Sequence, residues 1–442
     1  MFNGTFEDIV AKDDGFLRGP FGSALKKSLF VPKSEDTYKV YEQGVVLEKN
    51  SNIGRYYISK DYYENNMIRF SVKPGDFLVS CSGVNYGAIY QLPDKIEPGI
   101  INQALLRIRL NNYIVDENYF LYYFRAYIVN VITGGTGDST IPNFPPMSVV
   151  RSVKIQLPSM EVQKKVGKFL RNIEEKINNN NKIINEMEQM AKAIYDYWFL
   201  QYEFPNEEGK PYKSSGEKMV YCEEMKKEIP EGWKVGYLQN YIDKDKGGDW
   251  GKEFKESNYN ERVICLRGAD FPSICGQEEV KAPERYILEK NLNKSLENGD
   301  LIIEISGGSP SQSTGRICYI NSNTLKRFDL PIITSNFCKA ISLKNKEYLY
   351  WFYIQWLKLY ESNIFFKYEG KTTGIKNLLF DMLCTDYKII EPPENLIKKY
   401  NSLVSIYFDN IQKNKKENEE LIKLRDYLLP LLMNGQVGFK SW

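Results

Sequence analysis

The chain has 442 residues, of which 42% are hydrophobic and 26% charged, with seven cysteines, no histidine and a formal net charge of +2. That composition fits a soluble globular protein of two or three domains, and the lack of histidine takes away the raw material for His-based acid–base or nucleophilic catalysis and for most zinc sites. The scattered cysteines form no CxxC pair and are expected to be buried, reduced thiols, and a charge so near neutrality leaves any nucleic-acid affinity to local patches. No apolar run approaches a membrane span, and MFNGTFEDIV lacks the build of a signal peptide, so a cytoplasmic location is expected.

Residues 1–158 read as a mixed domain. GDFLVSCSG (75–83) and QALLRIRL (103–110) are short β-rich runs bounded by Gly, Asp and Asn, and NYFLYYFRAYIVNVI (118–132) is long enough for a buried helix. Residues 159–200 follow as a long helix. Val162, Val166, Phe169, Ile173, Ile177, Ile184, Met187, Ala191, Ile194 and Trp198 give it one apolar stripe, with Asn180 as a polar break near its middle. Residues 201–228 are polar and rich in Lys and Glu, the composition of an exposed linker.

Residues 229–393 read as a second mixed domain. RVICLRG (262–268), GDLIIEISGG (299–308) and GRICYI (315–320) are its strands, and EYLYWFYIQWLKLY (347–360) its buried helix. Residues 394–434 form a second long helix, with 435–442 as a tail. Val166, Phe169, Ile173, Ile177, Met187 and Ile194 recur, 234 residues on, as Tyr400, Leu403, Tyr407, Ile411, Leu421 and Leu428, and Asn180 is answered by Asn414.

The segments before the helices are also related. Asn3-Gly4-Thr5-Phe6 aligns with Glu231-Gly232-Trp233-Lys234, and Gly19-Pro20-Phe21-Gly22 with Gly248-Asp249-Trp250-Gly251. Pro74-Gly75-Asp76 matches Asn298-Gly299-Asp300, Asn102 matches Asn336, Ile141 and Asn143 match Ile375 and Asn377, and Lys154 and Pro158 match Lys388 and Pro392. The repeat covers half the chain, far beyond the period of a solenoid. The fold expected is therefore α+β: two similar mixed α/β domains and a pair of long antiparallel helices in a coiled coil, related by a pseudo-twofold axis. With that axis near the helix centres, Asn180 and Asn414 should face one another.

Catalytic signatures fail when tested. Gly370-Lys371-Thr372 imitates the end of a phosphate-binding loop, but Phe365 stands where the first Gly is required. Glu279-Val280-Lys281 offers the E-x-K of a metal-dependent nuclease, with its nearest upstream acid, Asp270, across a Cys/Gly/Pro loop. No metal-binding or catalytic residue is expected. What remains is recognition: Arg18, Lys26, Lys27, Asn85, Tyr86 and Gln103 in the first domain, and Lys252, Lys255, Gln312, Arg316, Lys371 and Lys376 in the second. Arg and Lys suit guanine edges and phosphates, Asn and Gln suit adenine, and a solvated surface residue is the simpler account of any one alone.

Six stretches carry a family resemblance: FLRGPFGSALKK (16–27), IQLPSMEVQKKV (155–166), IPEGWKV (229–235), GGDWGKE (247–253), GKTTGIKNL (370–378) and LRDYLLPLLMNGQVGF (424–439). Together they resemble the specificity subunits of type I restriction–modification enzymes, over essentially the whole chain. Ile397, where the first copy has Gln163, is one departure between the halves. The resemblance implies two target-recognition domains, each reading one half of a split DNA sequence, with the long helices setting the spacing and docking two methyltransferase subunits. Those partners would bind S-adenosylmethionine and methylate adenine, and ATP-dependent restriction subunits would be further partners. This chain would bind double-stranded DNA, hold no cofactor and catalyse nothing. Two readings from other classes stand beside it: a stand-alone nuclease or methyltransferase, and a protein-binding scaffold.

Overall fold

A computed structural model describes residues 1–83, 85–133, 145–275, 280–309, 311–372 and 375–438. The chain divides into two compact units, residues 1–176 with 421–442, and residues 177–420. Each long helix is thus shared between the units.

The first unit holds two sheets. Strands Phe16–Arg18, Leu105–Ile108, Phe77–Ser80 and Ile89–Gln91 lie side by side in that order, all antiparallel. Tyr57–Ser59, Thr37–Tyr41 and Gly99–Ile101 make a three-stranded sheet whose last pair is parallel. Phe2–Thr5 pairs separately with Lys154–Leu157. Phe77–Ser80 is buried at every position, as a central strand covered on both faces should be.

The second unit repeats this plan strand for strand. Ile242–Gly247, Cys338–Leu343, Asp300–Glu304 and Ile317–Tyr319 form its four-stranded sheet. Glu284–Leu288, Tyr259–Leu266 and Ile332–Thr334 form the three-stranded one, again with one parallel pair. Lys234–Tyr237 pairs with Lys388–Glu391. Two structural details repeat as well. Gly75 and Gly299 both adopt positive φ (81° and 101°), and the carboxylate just after each accepts a backbone N–H three residues back, from Lys73 at 2.7 Å and from Glu297 at 2.8 Å. Only glycine adopts that φ without steric cost.

Two expected alignments shift. Asn102 corresponds to Ser335 instead of Asn336, because Ile101 and Thr334 hold the same place in the two parallel pairs. Thr5 pairs with Lys154 and Tyr237 with Lys388, so Asn3-Gly4-Thr5-Phe6 corresponds to Val235-Gly236-Tyr237-Leu238, four residues beyond the segment matched by sequence. Gly232 is a turn residue at φ 84°, whereas Gly4 lies within a strand. The stretch 201–228 is also less open than its polarity suggests. It carries Met219–Cys222, which pairs with Lys227–Pro230, and Phe204 stacks on both Tyr212 and Trp233. Ile141 and Asn143 lie outside the described residues.

The long helices span Met160–Tyr195, closed by a π-helical turn at Asp196–Leu200, and Glu394–Met433. In the first unit, Val166 and Leu170 pack in one core with Leu428, Leu429, Leu432 and Met433. In the second, Ile184, Ala191 and Tyr195 share a core with Tyr400, Val404, Phe408 and Ile411, and the Tyr400 hydroxyl donates to the Ala191 carbonyl at 2.9 Å. Within each unit the helices therefore run antiparallel.

Three expectations on the stripe are corrected. Val162 is 41% exposed, because Gln163 takes the buried place beside it. Leu403 is 43% exposed, its place taken by Val404 and Phe408 as the buried stripe steps from Tyr400 by fours. Asn180 does not face Asn414. Its amide donates to Asn418 Oδ1 at 2.9 Å and to Glu417 Oε2 at 2.8 Å, one helical turn further on.

Gln163 also explains a departure between the halves. It is buried, accepts from the Asp116 N–H at 3.0 Å, and donates to the carbonyls of Pro158 (3.0 Å) and Ile114 (3.1 Å). Its counterpart Ile397 is fully buried in the apolar core of the second unit.

Candidate nucleic-acid interface

In the first unit four segments converge where the two sheets meet. A Cβ on Gly19 would lie 1.8 Å from the Asn102 carbonyl oxygen, so only glycine lets the 19–30 loop close against the 102–104 turn. The Gly19 N–H donates to Leu105 O at 2.9 Å, and the Cys81 N–H to Ala104 O at 2.8 Å. Gln43 donates its amide to Ser80 Oγ and to the Ser82 carbonyl. Arg18 and Gln103 flank this junction and are exposed, as are Lys26 and Lys27 on the short turns beyond it. A cleft of about 520 Å³ opens beside it, lined by Glu42, Gln43, Arg55, Asn102 and Ala104. Asn85 is exposed, while Tyr86 packs partly into the domain core.

The second unit builds the same junction with other chemistry. Gly248 closes against the Ser335 carbonyl, 1.9 Å from where its Cβ would lie, and the Asp249 N–H donates to Thr334 O at 2.8 Å. The place of Gln43 is taken by Gly268, since Tyr41 and Leu266 end the matching strands of the parallel pairs. A Cβ there would stand 2.4 Å from Glu304 Oε1. Glu304, in the place of Ser80, receives both arms of Arg316 at 2.9 and 2.6 Å. That bidentate bond raises the pKa of Arg316 and occupies its guanidinium, so Arg316 shapes the junction instead of reaching out from it.

Lys376 is likewise engaged. It pairs with Glu369 at 2.9 Å and lies over the Phe366 ring at 4.7 Å. Gln312 is exposed on a tight turn closed by Ser309. Lys252 sits 3.8 Å from Glu256 and over the Tyr259 ring, and Lys255 is exposed. The side chain of Lys371 and the residue Glu279 lie outside the described residues. Gly370 and its neighbours form a hairpin with Ile375–Leu378, consistent with rejecting a phosphate loop there. Asp270 is held in both oxygens by Arg267 at 2.9 Å.

Sequence reasoning missed Gln43, Asn102, Arg55 and the Arg285–Trp250 stack, in which the guanidinium lies 4.2 Å from the ring centroid. Asn102 appears there only as a position of the internal repeat, and Trp250 within the GGDWGKE stretch; Gln43 and Arg55 leave no signal.

Comparison with known proteins points to one family. The family model for the type I restriction modification DNA specificity domain matches residues 22–189. Over that stretch the chain is similar to the specificity subunits of type I restriction–modification systems. It is 27% identical over 379 residues to the type I restriction enzyme MjaIX specificity subunit of Methanocaldococcus jannaschii, covering 84% of this chain and 79% of that one. The MjaVIII specificity subunit of the same organism is 25% identical over 384 residues, covering 84% and 81%. Among solved structures, the S subunit of a type I restriction-modification system from M. genitalium matches with a TM-score of 0.59 at 16% identity, over 100% of this chain and 96% of that one, a likeness of fold. No helix among the described residues is long and apolar enough to cross a membrane.

Proposed function

We propose that this chain is the non-catalytic DNA-specificity subunit of a type I restriction–modification or methyltransferase complex in the cytoplasm. Each domain reads one half of a bipartite DNA site through the junction of its two sheets. The long helices set the spacing of the half-sites and dock two methyltransferase subunits, which carry S-adenosylmethionine and methylate adenine. An ATP-dependent restriction subunit is the further partner, and no cofactor is assigned to this chain.

The observation that carries the reading is one junction built twice with different fillings, Gln43 with Ser80 against Gly268 with Glu304 and Arg316. A duplicated enzyme would keep its chemistry in both copies, whereas a reader of an asymmetric sequence needs one scaffold and two surfaces. Base identity then follows from which donors and acceptors each surface offers to the groove edges.

The test exchanges residues 1–158 for those of another family member and maps methylated bases in cells carrying the partner methyltransferase. One half-site should change while the other half-site and the spacer stay fixed. An unchanged motif, or methylation of DNA by the purified chain given Mg²⁺ and S-adenosylmethionine alone, would overturn it. Absence of DNA binding with the methyltransferase present would favour the scaffold.

A further inference from the structure

Away from the DNA-facing junction, the second unit holds two sulfurs in contact. Cys275 ends the helix Phe271–Cys275 and Cys318 lies in the strand Ile317–Tyr319, with Sγ···Sγ at 2.9 Å. They are far apart in sequence and on different elements, and each is held in place from the second long helix by one residue. Gln412 Nε2 donates to the Ile274 carbonyl at 3.1 Å and to the Tyr319 hydroxyl at 2.9 Å, gripping the neighbour of each cysteine. Arg327 tightens the grip, donating to Ile274 O at 3.1 Å, Ser273 O at 3.2 Å and Gln412 Oε1 at 2.7 Å, and pairing with Glu419 at 2.6 Å.

Lys415, one turn beyond Gln412, is 4% exposed, and its Nζ has no hydrogen-bond partner among the described residues. Its charge acts on both sulfurs, with Glu188 the acid and Arg327 the second cation in the same field. An ammonium in that position favours a thiolate over a thiol. Burial works against ionising Cys275, yet the Cys318 thiol and Lys415 outweigh it and lower its pKa. Burial and repulsion from Arg327 bring Lys415 down to about 8. Elsewhere, burial pushes Cys81, Cys265, Cys338 and Cys384 up to about 12, the mark of inert thiols. Cys318 is fully buried, whereas Cys275, at the end of its helix, is only partly buried as a residue, which makes it the first candidate for attack on an oxidant.

We propose that Cys275 and Cys318 are a redox-active dithiol that a hydroperoxide closes to a disulfide, with Lys415 as the residue that readies the attacking sulfur. The Cys275 thiolate attacks the peroxide oxygen. The O–O bond breaks, an S–O bond forms, the sulfur is oxidised to sulfenic acid and the departing oxygen leaves as water once protonated. Cys318 then displaces hydroxide from that sulfur, the S–S bond forms, and the proton lost by Cys318 makes the second water. Two thiols and one hydrogen peroxide give one disulfide and two waters. Closure ties the end of the 271–275 helix to the strand beneath the second long helix.

The test uses the full chain, reduced, desalted and treated with hydrogen peroxide. Intact mass should fall by two hydrogens, dithiothreitol should restore it, and peptide mapping should join Cys275 to Cys318 while the other five cysteines still alkylate. Cys275→Ser and Cys318→Ser should each abolish the mass loss. Lys415→Met, which removes a buried charge without emptying its volume, should slow closure by about tenfold. Both thiols alkylating fully after peroxide, or a bond to another cysteine, overturns the pair, and this readout needs no variant. An unchanged rate in a folded Lys415→Met protein overturns the role of Lys415.

Discussion

Asn180 hands its side-chain amide to Asn418 across the helix pair at 2.9 Å, and Asn418 in turn donates to Asn181 Oδ1 at the same distance. This polar layer is buried between two apolar stretches, and any shift of the helices along one another breaks both bonds. Such a layer fixes register at some cost in stability.

Asn418→Ala should therefore lower stability by about 1–3 kcal/mol, the cost of leaving the Asn180 amide buried with one partner fewer. The double replacement Asn180→Leu with Asn418→Leu should recover most of that loss. Urea unfolding of the three proteins checks this, and a double variant as weak as the single one refutes it.

Gln163 makes three hydrogen bonds while buried, so Gln163→Ala should cost about 1–3 kcal/mol by orphaning the Asp116 N–H and two carbonyls. Ile397→Ala in the second half should cost about 2–5 kcal/mol through a cavity instead. Hydrogen exchange separates the two, because only the first should speed exchange at the Asp116 amide.

Glu174 binds the first domain to its helix. Tyr122 donates to it at 2.7 Å, Arg125 lies at 3.2 Å and Lys49 at 3.3 Å. Burial opposes its ionisation, but Arg125, the Tyr122 hydroxyl and Lys49 outweigh that and hold its pKa down at about 2, against an ordinary 4.5. A depressed carboxylate stabilises the fold above its unfolded pKa, so up to about 3 kcal/mol should be present at neutral pH and lost as pH falls from about 4.5 to about 2. Glu174→Gln should flatten that part of the stability–pH curve, which acid titration of unfolding free energy would show.

Gly268→Gln should disturb only the second half of the recognised sequence, because its side chain must displace the Glu304–Arg316 pair. Gln43→Gly should disturb only the first. Base-resolution methylation mapping of each variant would test the assignment, and a change in both half-sites from one substitution would defeat it.

The long helices, the main strands and the order of the two copies were legible because periodicity and Gly/Asp punctuation are local. Register was not. A constant offset of 234 relates Asn180 to Asn414, but it does not say where the helices cross, and packing of the cores placed Asn418 opposite instead. The site was half legible. Exposed Arg18 and Gln103 could be named from residue type. The capture of Arg316 by Glu304 depends on strand pairing across a hairpin, and Gln43 reaches Ser80 through a contact between sheets, so neither is written in nearby sequence.

The core of the first unit is finished by Leu428, Leu429, Leu432 and Met433, from the far end of the chain. On the ribosome residues 1–176 therefore emerge well before residues 421–442 supply their apolar floor. A chain released early, short of residue 421, would leave its earliest-made half exposed and a ready target for proteolysis. Folding of the first unit is thus tied to synthesis of the last turn of the helix Glu394–Met433.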